Sequence, residues 1–345
     1  MQKLSEAKSA KRKKNSDNLK PSKDALDRFS RALALMAKAD QKIGLAVSGG
    51  PDSLALLLLA AAVRPGKVEA ATVDHGLRDG SRQEAEMVAD LCKTLGVPHE
   101  ILTVEWEKKP TSAIQERARM RRYQALTEWA QARKIDVVAA AHHAEDQAET
   151  LLMRLVRGSG VRGLAGMRAI RKFPGSNIAL ARPLLRWTRG ELGDICANAG
   201  VEPVIDPSNS DPKFERVRVR ETLAETEWLD PVGLAKSATY LTQADEALRW
   251  AAKQEWDKRV TEADSVITLD PAGLPNELRR RIVQTIVGKL KSEGHGVDLR
   301  GRELDQLLVA LLRGRKATLR GVLCGGGDTW RFATAPKRTA VVANG

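Results

Sequence analysis

Residues 43–54 read Ile-Gly-Leu-Ala-Val-Ser-Gly-Gly-Pro-Asp-Ser-Leu and constrain the fold more than any other stretch. Ile43 to Val47 is a short apolar run bounded by turn residues, the pattern of a strand buried on both faces. Leu54 to Val63 is almost wholly Leu and Ala and reads as a buried helix. Between them, the turn's N–H groups and the positive end of the helix dipole converge on one point, an arrangement that binds anions. Gly49 and Gly50 let the backbone approach a phosphate without a Cβ in the way. Pro51 fits the first helical turn, where its missing N–H is no loss, and Ser48 and Ser53 add hydroxyl donors. Asp52 is the odd member, because a carboxylate repels a phosphate unless a cation such as Mg²⁺ sits between them. The competing reading is a tight strand–helix turn with a capping serine. The lysine of the G-x-x-x-x-G-K-[ST] loop is missing.

The rest of the first two thirds repeats the strand–helix theme. Ser22 can cap a helix with an apolar stripe through Leu26, Phe29, Leu33, Leu35 and Met36. Strands are expected at Val68–Val73, Glu100–Val104, Asp136–Ala141 and Ile178–Ala181. Helices are expected between them, one capped by Ser81 and stopped by Gly96, another over Ser112–Lys134. Segment 158–175 reads as loop-rich, and Thr188 with Glu191 forms a capping box. Five such units argue for α/β architecture with a doubly wound, five-stranded parallel sheet. Asp74 and His75 then fall at the carboxyl edge of the sheet, where ligands sit in such folds. Near residue 226 the pattern changes to long helices at 232–258, 275–293 and 299–313, with short strands near 317–323, 329–334 and 338–342. The expected organisation is a basic tail and lead-in helix over 1–37, a catalytic domain over 38–225, and a smaller, mostly helical mixed domain over 226–345.

Two further stretches carry chemistry. In His142-His143-Ala144-Glu145-Asp146-Gln147-Ala148-Glu149, Asp146 and Glu149 share a helical face at i and i+3. Converging carboxylates there can bind Mg²⁺ or an ammonium group, or act as general base. An acidic first helical turn favoured by the dipole is the blander reading. The adjacent histidines point apart, which suits hydrogen bonding or orientation of a carboxylate better than one shared metal. In 214–220, Arg216, Arg218 and Arg220 alternate with valines. An extended segment would place them on one face and a helix would spread them; either way they can bind phosphates bidentately, and an ordinary solvated basic surface is the equal competing reading.

Charge and cysteines bound the function class. Formal charge is +13, which suggests a polyanionic partner. Residues 1–23 alone hold eight Lys/Arg against Glu6 and Asp17, so the tail is either an RNA-contacting arm or a solvated one. Three widely spaced cysteines make no C-x-x-C pair or zinc pattern, no apolar run is long enough to span a bilayer, and no secretory signal is visible. Cytoplasm is the expected compartment.

The hexapeptide Ser48–Ser53 resembles the S-G-G-x-D-S loop of the N-type ATP pyrophosphatases. V-D-H-G-L-R, A-R-x-x-R-Y, H-H-A-E-D-Q-A-E-T, G-L-A-G-M, R-P-L-L and D-P-S-N then follow in order. Together, over about residues 43–222, they resemble the tRNA(Ile)-lysidine synthases, and Thr318–Cys324 resembles that family's small C-terminal domain. Two positions depart from its pattern: Glu145 stands where an aspartate is usual, and Val217 where a polar residue is. The resemblance implies ATP and Mg²⁺ as cofactors, and tRNA(Ile) with a CAU anticodon and free lysine as substrates. It implies that Ser48, Gly49, Gly50, Pro51, Asp52 and Ser53 cradle the phosphates, with Asp52 on the metal and Asp74 and His75 at the adenine site. It gives Asp52, Asp146, Glu149 and Arg216 the catalytic roles. A homodimer is compatible with the sequence. Rival readings are a tRNA thiolase, an amide synthetase of the same fold, and a non-catalytic RNA-binding protein.

Overall fold

The computed structural model describes residues 19–76, 80–106, 114–204, 213–291 and 301–336. Most of the basic tail, the D-P-S-N turn and the strand expected at 338–342 lie outside these residues. The chain forms two compact units, one of 1–158 with 163–239 and one of 159–162 with 240–345.

The first unit is built on a six-stranded sheet. Its elements in chain order are α1 (Lys23–Ala34), β1 (Ile43–Ala46), α2 (Pro51–Val63), β2 (Val68–Asp74), α3 (Ser81–Leu95), β3 (His99–Thr103), α4 (Ile114–Ala132), β4 (Val137–Ala140), α5 (Ala144–Val156), the second half of α6 (Val161–Leu164), β5 (Ile170–Lys172), β6 (Ala179–Ala181), α7 (Arg189–Asn198) and α8 (Glu215–Glu225). The strand order is β3-β2-β1-β4-β6-β5. The five expected strands are parallel and β5 adds an antiparallel edge. The order reverses between β1 and β4, which opens a crevice at their carboxyl ends.

β1 shows how the sequence builds two layers. Ile43 and Leu45 face a core with Phe29, Leu33 and the leucines of α2. Leu54 and Leu56 to Leu59 are all buried, so α2 is apolar all round because it is covered all round. Each such leucine contributes about 1.5–3 kcal/mol relative to exposure. Gly44 points the other way, where an added Cβ would meet the Trp129 ring at 2.8 Å. Trp129, Ile135, Phe173 and Leu180 form that second layer. The central strand therefore carries glycine where a ring needs the space.

Several local expectations are corrected. Ser81 is the first residue of α3 rather than its cap, which is Gly80 at φ 93°; its hydroxyl instead donates to Asp74 Oδ1 at 2.7 Å. Leu35 lies past the end of α1 and is 85% exposed, outside the apolar stripe. Segment 158–175, expected as loop-rich, carries two short elements among its loops, α6 and β5.

The second unit holds the later part of α9 (Pro231–Arg259), then β7 (Val260–Ala263), β8 (Val266–Leu269), α10 (Asn276–Leu290), α11 (Gly301–Leu312), β9 (Lys316–Leu319), β10 (Val322–Gly325) and β11 (Trp330–Thr334). Alongside the expected helices stands a five-stranded antiparallel sheet ordered β7-β8-β11-β10-β9. The single strand expected over 317–323 is a hairpin turning at Arg320 and Gly321, both at positive φ. Ile267, Ile282, Ile286, Leu307, Trp330 and Phe332 form its core.

Candidate active site

The phosphate-loop candidate sits where the sheet order reverses. β1 ends at Ala46, Gly49 turns the chain at φ 84°, and Gly50 caps α2 with Pro51 at its first position. The Ser53 hydroxyl accepts from Ser48 N at 3.1 Å and donates to Gly50 O at 2.9 Å, closing the turn on itself. Gly49 O accepts from Val204 N at 2.9 Å. A Cβ on Gly49 would lie 3.2 Å from Val204 Cγ2, so both backbone sign and space demand glycine there. Asp52 leaves this loop with one carboxylate oxygen, Oδ1, buried and without a hydrogen-bond partner.

Beside it, β4 delivers His142 and His143 to the same edge, and α5 begins at Ala144. The two histidines have opposite environments. His143 is 2% exposed. Its Nδ1 lies 2.8 Å from Glu145 Oε2, and its Nε2 lies 3.5 Å from both Asp52 Oδ2 and Asp146 Oδ2. Burial opposes its charge, but hydrogen bonds to Asp52 and Glu145 and the field of Asp146 outweigh it and raise its pKa to about 10. His143 is thus an imidazolium joining the phosphate loop to the acidic helix. His142 is kept neutral: burial above all, then Arg182, Arg119 and Arg216, push it down to about 3 against the pull of Asp146. The expectation that the pair orients carboxylates holds for His143.

Asp146 and Glu149 do share a face, and what they hold is arginine. Segment 215–225 is helical, so Arg216 and Arg220, at i and i+4, face α5 together while Arg218 turns away. Arg216 Nη2 donates to Asp146 Oδ1 at 2.6 Å and Arg216 Nε donates to Glu149 Oε2. Arg220 Nε donates to Glu149 Oε1 at 2.8 Å. The Glu149 side chain is 1% exposed, so both its oxygens are committed to guanidinium groups. Burial would raise the Asp146 carboxyl, but His143 and Arg216 hold it below the usual carboxylate range. Val217 is buried on the inner side of α8, which explains an apolar residue between the arginines.

Glu145 also has a defined job. Its carboxylate accepts from Arg189 N at 3.0 Å, at the start of α7, as well as meeting His143. Asp74 is engaged by its own turn, accepting from Gly76 N at 2.9 Å and from Ser81, and these bonds keep it ionised against the effect of burial. His75 O accepts from Trp106 Nε1 at 2.7 Å. Its ring, driven down to about 4 chiefly by burial, is neutral. Sequence reasoning gave no role to Gln147, whose amide clasps the main chain of Met167 from both sides, at 2.6 and 2.9 Å. A buried glutamine inside a helix carries no signal until its partner is seen.

A magnesium ion usually takes one or two carboxylates plus substrate phosphates and water. Among the described residues no group of three or more acidic, His or Cys side chains forms a closed metal cage. The free Oδ1 of Asp52 beside the turn fits that open mode of binding.

Such a turn at the reversal of a parallel sheet, with an acidic helix on the neighbouring strand, defines a nucleotide-handling α/β domain. Residues 21–227 match the family model described as a PP-loop domain. A U34-tRNA thiolase from Methanococcus maripaludis shares the fold, with a TM-score of 0.54 at 16% identity over 64% of this chain and 79% of that one. The tRNA(Ile)-lysidine synthase of Zymomonas mobilis is 42% identical over 87% of this chain and 91% of its own length. That of Novosphingobium aromaticivorans is 46% identical over 86% and 90%. The chain belongs to the tRNA(Ile)-lysidine synthase family.

Proposed function

We propose that the protein ligates free lysine to C2 of the wobble cytidine in tRNA(Ile) bearing a CAU anticodon. The C2 oxygen of the cytidine attacks the α-phosphorus of ATP and pyrophosphate leaves. A carboxylate first takes one proton from the bound lysine ammonium; the neutral ε-amine then attacks C2, the C2–O bond breaks, and AMP departs with that oxygen. The observation that carries this reading is the meeting, on adjacent strand ends, of a phosphate-type turn with the Asp146–Glu149–Arg216 cluster.

The chain's own groups divide the work. Ser48 to Ser53 bind the phosphates through main-chain N–H groups, with Asp52 holding magnesium, which would supply charge neutralisation there. Asp74 and His75 border the adenine. Arg216 stabilises charge on the reacting phosphate. Asp146 and Glu149 receive the lysine ammonium, which competes with Arg216 for the same oxygens. Residues 226–345 and the basic tail contact tRNA, and the compartment is the cytoplasm; no described helix is long and apolar enough to cross a membrane.

The thiolase alternative is disfavoured by a specific observation. Cys92, Cys196 and Cys324 are all buried and free, and burial raises their thiols to about 12, 11 and 12, far from the thiolate such chemistry needs. The test is incorporation of labelled lysine into tRNA(Ile) transcripts with ATP and Mg²⁺. Pyrophosphate release should require both the tRNA and the metal; release without RNA, or with no lysine incorporated, would sink the assignment.

A further inference from the structure

Beyond His142, on the β4–β6–β5 flank of the sheet edge, three arginines gather around one ring. Arg182 follows the last residue of β6 and is 2% exposed. Its Nη1 donates to Arg168 O at 2.7 Å, while its Nε is buried without a partner. Arg171 lies on β5 in register with Leu180, and its Nε is likewise buried and unpartnered. Its guanidinium carbon is 5.4 Å from the centre of the Tyr123 ring, and that of Arg119 is 4.9 Å from the same centre. Phe173 braces the ring edge to face at 5.4 Å. His142 Nδ1 is also buried and unpartnered.

Arg216 and Arg220 have carboxylates. Among the described residues, Arg119, Arg171 and Arg182 have none. Crowding like charges pulls Arg182 down to about 10, after burial, through Arg171 and Arg119. A buried guanidinium with an idle donor, among other cations, is costly unless an anion completes it. The anion is not the one bound by the phosphate turn. That turn leaves β1, and Asp74 and His75 end β2, whereas Arg182 ends β6, two strands from β1 on the far side of β4. Two strand spacings are roughly 10 Å. The cluster therefore lies on the β6–β5 flank, away from the β1 and β2 ends where the nucleotide is expected.

We propose that Arg182, with Arg171 and Arg119 at its mouth, binds a backbone phosphate of the RNA acceptor next to the nucleotide that reacts. The inference rests on the function proposed above and adds the subsite that fixes the reacting base. Guanidinium forks suit phosphate oxygens bidentately, and phosphate contacts set register while base contacts carry sequence. Tyr123 holds two of the forks in place by cation–π contact.

The experiment measures binding of a fluorescent anticodon stem–loop by anisotropy across a salt series. Arg171→Gln and Arg119→Gln should each weaken binding roughly tenfold and flatten the salt slope by a little under one unit. Stem–loops carrying one neutral methylphosphonate, 5′ or 3′ of the wobble cytidine, supply the decisive arm. One of the two should lose roughly tenfold on the unsubstituted protein and nothing further on Arg171→Gln. Arg182→Lys keeps the charge but loses the fork and should show an intermediate loss; Arg182→Gln is read only if its thermal transition is native-like. Unchanged RNA affinity in both Arg171→Gln and Arg119→Gln would overturn the proposal. So would an inhibition constant for pyrophosphate that rises while RNA affinity stays put, since the cluster would then serve the leaving group. Failure of the broader reading would show instead as absent lysine incorporation by the unsubstituted protein, with the binding arm still readable.

Discussion

Replacing Arg216 by glutamine should have effects of opposite sign on turnover and on lysine affinity. Arg216 spans Asp146 and Glu149, at 2.6 Å from the first and in contact with the second. If those carboxylates are the ammonium site, lysine has to displace the arginine to bind. A hydrogen bond to a charged group is worth about 1.5–3 kcal/mol. The Arg216 side chain is 38% exposed, so solvent reduces each contact to about 1 kcal/mol. Removing both should release about 1–2 kcal/mol of competition, tightening lysine binding roughly five- to thirtyfold. Turnover should meanwhile fall by about 10²–10³, the usual loss when one group stabilising transition-state charge is removed. Isothermal titration with lysine, followed by single-turnover transfer assays, reads both numbers. If lysine bound the variant no better, or more weakly, the carboxylates would not be its ammonium site, and Arg216 would be a partner for the lysine carboxylate.

Three further outcomes follow from the same geometry. Asp52→Asn should abolish Mg²⁺-dependent pyrophosphate release while leaving the circular dichroism spectrum and RNA affinity intact; near-normal release across a Mg²⁺ titration would show that the buried Oδ1 holds no metal. Glu149→Gln removes the charge facing two arginines, and because both can reach water the loss should be about 2–3 kcal/mol, under the 3–5 of a fully buried pair. That corresponds to a fall in Tm of roughly 4–12 °C by calorimetry, and an unchanged Tm would mean the arginines find other partners. His142 and His75 have pKa values pushed below the ordinary 6.5, to about 3 and 4. The unfolded chain therefore binds more protons between pH 6.5 and those values, so their stabilisation is present above 6.5 and lost as pH falls towards 3. His142→Gln should flatten the decline of the urea midpoint between about pH 7 and pH 4; parallel curves for variant and parent would contradict this.

What the sequence made legible was local chemistry. The run from Ile43 to Val63 states its strand, turn and helix through composition and two glycines, and Thr188 with Glu191 states a helix start through reciprocal caps. The pairing of Asp146 with Glu149 on one face also followed from helical spacing. What stayed hidden depended on partners distant in the chain. β5 is three residues long with charged side chains, and only its pairing with β6 makes it a strand. The hairpin of β7 and β8 turns through Asp264 and Ser265, both at positive φ, where the usual asparagine–glycine signal is missing. Arg182 reads as one arginine among many until the fold buries it. Arg216 and Arg220 were ambiguous because alternation with valine fits a strand, and α8 resolved it by pointing them at one glutamate.

Glu145 has a consequence for recombining this protein with its relatives. Its carboxylate reaches from the first turn of α5 to the amide that opens α7, while still meeting His143. An aspartate, which the family resemblance leads one to expect at this position in relatives, is one carbon–carbon bond shorter, about 1.5 Å, and would reach only one of these partners without a shift of the helix. The two helices are thus a length-matched pair, fitted to each other through a single methylene. A chimera that imports α5 alone would inherit the wrong spacer and loosen the mount of His143. One that exchanges α5 and α7 as a block keeps the gauge between them, so crossover points belong outside both.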